Sequence, residues 1–159
     1  MKLTLEINFK MVLRWVLALL LIWAAISKLA NLQDFYGSLV AYRLPLPDFF
    51  LRGTAMFLPW LELLCGLMLL ARIQLGAALA WAIVLFAIFA LATGQAWARG
   101  LNISCGCFNP SLLGLRPDGD LVKFLEAVWF AFFRALLLTA GAIYLFRQEM
   151  KPTREIVAG

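Results

Sequence analysis

Residues 49–71 read FFLRGTAMFLPWLELLCGLMLLA. About 20 predominantly apolar residues carry an α-helix across a ~30 Å hydrocarbon core, at ~1.5 Å of rise per residue. This stretch has that length, and its two charged residues are Arg52 near the start and Glu62 near the middle. Three more runs of the same kind lie on either side: about Val12 to Leu29, Leu75 to Ala92, and about Phe124 to Phe146. The whole chain of 159 residues is 64% hydrophobic and 14% charged, and it contains no histidine. A soluble domain of ordinary composition is about half apolar and a quarter charged. So much apolar surface cannot be buried in one small core, which makes lipid the solvent. The expected fold class is an all-α membrane protein, a four-transmembrane-helix bundle, with residues 1–159 forming a single domain.

The net charge is +5. The Lys and Arg residues sit at the ends of apolar runs and form no stripe interleaved with aromatics, which argues against nucleic acid and for interfacial anchoring. Lys10 and Arg14, at the start of the first run, look like the basic n-region of a signal peptide. That run is too long for an h-region, so cleavage is not expected. Four spans place both termini on one side. Counting Lys and Arg gives seven on the terminal side and six on the other, a weak guide, while Asp34, Asp48, Asp118 and Asp120 gather on the second side. The expected orientation has cytoplasmic termini and two outer loops.

The first outer loop, NLQDFYGSLVAYRLPLPD, repeats Phe35, Leu39 and Tyr42 at helical spacing, as a short interfacial helix does. Pro45 and Pro47 then impose extended backbone before the second span. The second loop, residues 93–123, contains NISCGCFNP. Loops of this length without regular structure are usually functional or disordered.

Cys105 and Cys107 flank Gly106 in that loop, and Cys65 lies in the second span. Zinc wants four ligands, and two thiols without histidine do not supply them, so no metal is expected. A linear Cu(I) site on Cys105 and Cys107 is the minor metal alternative. A Cys-x-Cys disulfide closes a very small ring and departs from relaxed geometry. Such bonds are labile and oxidising, as in catalytic disulfides. Gly106, lacking Cβ, allows the sharp bend between the sulfurs. An inert disulfide or two unreactive thiols remain open readings. Cys65, about 22 Å along its helix from Phe50, reads as a small buried hydrophobe.

Glu62 falls near the bilayer centre, where an ionisable group is a functional candidate with a partner to be named. Pro59 frees a backbone carbonyl one turn earlier. Arg134 in the fourth span has a similar depth when both helices are counted from the same side, so a Glu62–Arg134 contact is expected, direct or through water. Lys28, at the outer end of the first span, is the second candidate and could instead snorkel to the interface. The tryptophans at 15, 23, 60, 81, 97 and 129 suit an interfacial belt, and some could stack a cofactor.

The order Lys28, Tyr42-x-x-Pro45, Glu62, Cys105-Gly106-Cys107-Phe108, Arg134, set in LRWVLALLLIWAAISKLAN, FYGSLVAYRLP, LPWLELLCGLMLL and FFRALLL, resembles the DoxX-like four-helix membrane proteins, and among them the MauE (methylamine utilisation) branch. The resemblance implies a bacterial inner-membrane location and extracytoplasmic disulfide chemistry. It also implies maturation of a disulfide-rich periplasmic dehydrogenase alongside a thioredoxin-like partner, and possible linkage to quinone. The expected activity is thiol–disulfide exchange at Cys105 and Cys107 with a periplasmic thioredoxin-fold protein, with Glu62 and Arg134 as an intramembrane polar pair. Lys28, Tyr42, Gly106 and Cys65 are the supporting candidates. Two other classes compete: a non-catalytic membrane anchor or assembly factor, and a small transporter using Glu62 and Arg134. Whether the protein is an enzyme is left open.

Overall fold

The computed structural model describes residues 2–101 and 127–157. Five helices cover nearly all of them: α1 (Lys2–Ala30), α2 (Leu32–Ala41), α3 (Asp48–Ala71), α4 (Leu75–Ala98) and α5 (Val128–Val157). Four of these, α1, α3, α4 and α5, are long and apolar enough to cross a membrane, and the protein is a multi-pass membrane protein.

The helices outrun the apolar runs that announce them. In α1 the helix already begins at Lys2, well ahead of the apolar run that starts near Val12. In α4 the helix passes Thr93 and reaches Ala98 because the buried Thr93 hydroxyl donates back to the carbonyls of Phe89 (2.8 Å) and Ala90 (3.2 Å). A hydroxyl satisfied within its own helix does not break it. The expected start of the fourth span at Phe124 lies outside the described residues, and α5 continues well past Phe146.

Two close pairs make the bundle, α1 against α3 and α4 against α5, with the short Arg72–Ile73–Gln74 turn joining them. Lipid does not reward helices for hiding apolar side chains, so association depends on close packing. At the α1–α3 seam a Cβ on Gly66 would stand 2.8 Å from Ile22 Cγ1 and 3.1 Å from the Ala18 carbonyl oxygen. At the α4–α5 seam a Cβ on Gly94 would meet the Phe132 ring at 2.8 Å. Leu17, Leu21, Leu69, Leu79, Ala82 and Ala142 form the centre of the core. Large apolar side chains such as Phe57, Leu91 and Leu137 remain about 72–74% exposed, the surface a bilayer would cover.

The α3–α4 turn is tight. Arg72 adopts the left-handed conformation (φ 60°, ψ 27°), Ile73 N–H donates to the Met68 carbonyl at 3.1 Å, and Gln74 opens α4 at φ 44°. Non-glycine residues pay about 1 kcal/mol or more for such a backbone.

Candidate functional site

Glu62 lies fourteen residues into α3, about 21 Å from its start. Its carboxylate receives both its observed hydrogen bonds from one donor: Lys28 Nζ stands 2.5 Å from Oε1 and 2.7 Å from Oε2. The side chains are 2% and 10% exposed, so this is an ion pair removed from solvent. The Lys28 ammonium also lies 5.1 Å from the centroid of the Phe35 ring, on α2. A cation over an aromatic face gains about 0.5–2 kcal/mol, more as water is excluded. Phe35 is itself buried, so α2 packs back over the pair.

The partner differs from the one that depth counting favoured. Glu62 is held by Lys28, and Arg134 stands half-buried on the wall of the same cavity. Depth counting treats every helix as beginning at one level. In the fold, Lys28 is two residues from the end of α1 yet meets the middle of α3. The chain turns into α2 immediately after Ala30, so α1 stops partway along α3 and Lys28 is buried rather than snorkelling.

Beside the pair opens a cavity of about 270 Å³. Among the described residues its charged lining groups are Lys28, Glu62 and Arg134, and its aromatic lining groups are Trp23, Phe86 and Phe89. Since Lys28 and Glu62 neutralise each other, the guanidinium of Arg134 supplies the net charge of the described lining. An aromatic, largely apolar chamber with one convergent cation suits a flat lipophilic molecule that presents a carbonyl or anionic oxygen. Trp23 was visible in the sequence as a possible stacking residue. Phe86 and Phe89 were not, because phenylalanines in membrane helices carry no signal of their own, and Phe35 was visible only as an apolar residue of the short interfacial helix. The other five tryptophans are 42–55% exposed at the bundle surface.

Cys65 is buried in the core, where its thiol donates to the Ala78 carbonyl at 3.0 Å. It is a free cysteine serving as a helix-packing residue between α3 and α4. Tyr42 caps the end of α2 and is buried against Ala96 and Val128, while its carbonyl accepts a hydrogen bond from Gln95 Nε2 at 3.1 Å. Tyr42 therefore ties the first connection to α4. Cys105, Gly106 and Cys107 lie outside the described residues. Among the described residues no group of three or more His, Cys, Asp or Glu is placed to hold a metal ion.

Comparison with known proteins bears on this arrangement. The family model of methylamine utilisation protein MauE matches residues 6–147. The methylamine utilization protein MauE of Paracoccus denitrificans is 35% identical over 133 residues, which cover 82% of this chain and 64% of that protein. Its namesake in Methylophilus methylotrophus is 41% identical over 91 residues, 57% of this chain and 47% of the relative. The Methylorubrum extorquens protein of the same name is 39% identical over 94 residues, 58% and 50% respectively. The aligned segments thus span about half to two thirds of the length of these curated relatives. No solved structure matches the chain.

Proposed function

Because the chain belongs to the family of methylamine utilisation protein MauE, we propose that it serves methylamine utilisation as a membrane thiol–disulfide redox protein acting in the maturation of extracytoplasmic proteins. Cys105 and Cys107 exchange a disulfide with a periplasmic thioredoxin-fold partner. Two electrons and two protons then pass between that cysteine pair and a quinone held by the bundle. The observation that carries the quinone half of this reading is the cavity, with Trp23, Phe86 and Phe89 on its walls and Arg134 facing the same space. The Lys28–Glu62 pair supports the chamber by joining α1 to α3 without leaving an unbalanced charge there. The sequence motif Cys-Gly-Cys carries the disulfide half. In this arrangement the protein occupies the bacterial inner membrane with the motif on the periplasmic side.

The test has two arms. Intact cells are treated with a membrane-impermeant, mass-tagged maleimide before and after reduction, comparing wild type with Cys105→Ser/Cys107→Ser. Tags that appear only after reduction, and only in wild type, are the expected result. Tagging confined to lysed, reduced cells would put the motif in the cytoplasm and remove the reading. In the second arm, a short-chain quinone analogue should quench tryptophan emission in wild type and do so about tenfold less well in Arg134→Leu. Equal quenching in the two proteins would overturn the quinone assignment.

A further inference from the structure

A second polar cavity, of about 180 Å³, lies at the other end of α1 and away from the Lys28–Glu62 pair. Lys10 and Arg14 of α1, Arg72 of the α3–α4 turn and Glu149 of α5 supply its charges, and Leu79 and Leu145 part of its apolar wall. Among the described residues, three cations thus face one carboxylate. Lys10 donates to Gln148 Oε1 at 3.3 Å, and Glu149 lies exposed at the rim.

Arg14 is the unusual member. Only 7% of it is exposed, and its Nε is buried without a hydrogen-bond partner among the described residues. A guanidinium does not lose its proton in proteins, so Arg14 cannot relieve its burial by becoming neutral. Arg72, a like charge, lies within electrostatic reach and adds to the imbalance. The backbone at Arg72 is left-handed, where glycine is the low-cost residue, yet the position presents a guanidinium to the cavity.

We propose that Lys10, Arg14 and Arg72 form a binding site for a phosphate group, whose source is the headgroup of an anionic phospholipid. Guanidinium groups present paired donors that match phosphate oxygens, and the buried Nε gains the partner it lacks. One phosphodiester offsets part of the excess positive charge. A zwitterionic headgroup brings its own cation and offsets less. The leucine walls beside the cations favour a lipid over the free ion, since acyl chains lie along apolar helix surface while the headgroup enters the basic end.

The experiment uses the full chain purified in neutral detergent. Phosphatidylglycerol and phosphatidylcholine are offered at equal mole fraction, and retained lipid is counted by native mass spectrometry. Wild type should retain one phosphatidylglycerol about tenfold better than phosphatidylcholine, the scale set by one to two charge-assisted hydrogen bonds. Arg72→Gly should abolish that preference. The variant should unfold no lower than wild type without lipid, because glycine suits the left-handed turn, so a folding failure cannot imitate the result. Arg147→Gln removes the same charge from an exposed position outside the cavity and should leave the preference intact. Equal retention of the two lipids by wild type, or the same loss in Arg147→Gln as in Arg72→Gly, would overturn the site. Inorganic phosphate displacing phosphatidylglycerol at millimolar concentration would overturn the lipid source and assign the site to the free anion.

Discussion

Removing either member of the Lys28–Glu62 pair should expose how strongly α1 is tied to α3. Lys28→Met leaves a lone carboxyl group in a place with almost no solvent. Such a group escapes by taking up a proton, and holding an ordinary carboxyl protonated at pH 7 costs about 3.7 kcal/mol, at ~1.36 kcal/mol per pH unit from ~4.3. Glu62→Gln leaves a lone ammonium, and neutralising an ordinary amine at pH 7 costs about 4.6 kcal/mol by the same arithmetic from ~10.4. Those figures are ceilings, and keeping a charge at the centre of a membrane helix is put at about 2.5–3.5 kcal/mol on the insertion scale. Each single variant should therefore lose about 3–4 kcal/mol at pH 7. The double variant Lys28→Met/Glu62→Met should lie within about 1 kcal/mol of wild type, since apolar replacements of buried ion pairs are often neutral or stabilising. The pH dependence separates the two single variants. The deficit of Lys28→Met should shrink toward acid, and that of Glu62→Gln toward alkali, each by at most ~1.4 kcal/mol per pH unit. Reversible unfolding in mixed neutral-detergent and SDS micelles, followed by tryptophan emission at pH 5.5, 7 and 8.5, measures all three variants. Single deficits below about 1 kcal/mol and flat with pH would refute the reasoning, because the pair would then be hydrated or already neutral.

Other outcomes follow from the packing. Gly66→Ala should cost about 1–3 kcal/mol because its methyl meets α1 backbone as well as the Ile22 side chain, whereas Gly37→Ala, with open space around it in α2, should gain about 0.5–1 kcal/mol in the same assay. Cys65→Ala should lose about 1–2 kcal/mol, from a small void and the hydrogen bond to Ala78, and should keep partner maturation in cells that Cys105→Ser loses. Tyr36 donates a 2.5 Å hydrogen bond to Asp48, which raises its phenol above the ordinary value. Its folded state therefore favours the neutral phenol, and the stabilisation is present below about pH 10 and lost as pH rises through the folded titration. An ultraviolet titration of wild type against Asp48→Asn should show the Tyr36 transition moving down in the variant.

The spans were legible because length and apolar continuity are properties of single segments. Glu62 and Arg134 announced themselves as charges within such segments, and both line one cavity. What a sequence hides is offset. Nothing in the composition of α1 says that it ends beside the middle of α3, so Lys28 looked like a residue at the interface. The basic cavity was hidden for a related reason: positions 10, 14, 72 and 149 come from two helices and a turn, and taken singly each reads as an anchor at a helix end. Thr93 illustrates the boundary problem, since a hydroxyl ends an apolar run but not a helix whose carbonyls accept its hydrogen bond.

The separation of Lys28 and Glu62 along the chain also sets a schedule. Thirty-four residues divide them, roughly 2–7 s of ribosomal elongation at ~5–20 residues per second. Throughout that interval the ammonium has been made and its carboxylate has not. Lys28 can take up its buried place beside the middle of α3 only after that helix has been made. The ion pair is thus a latch that closes only once the second long helix has been made.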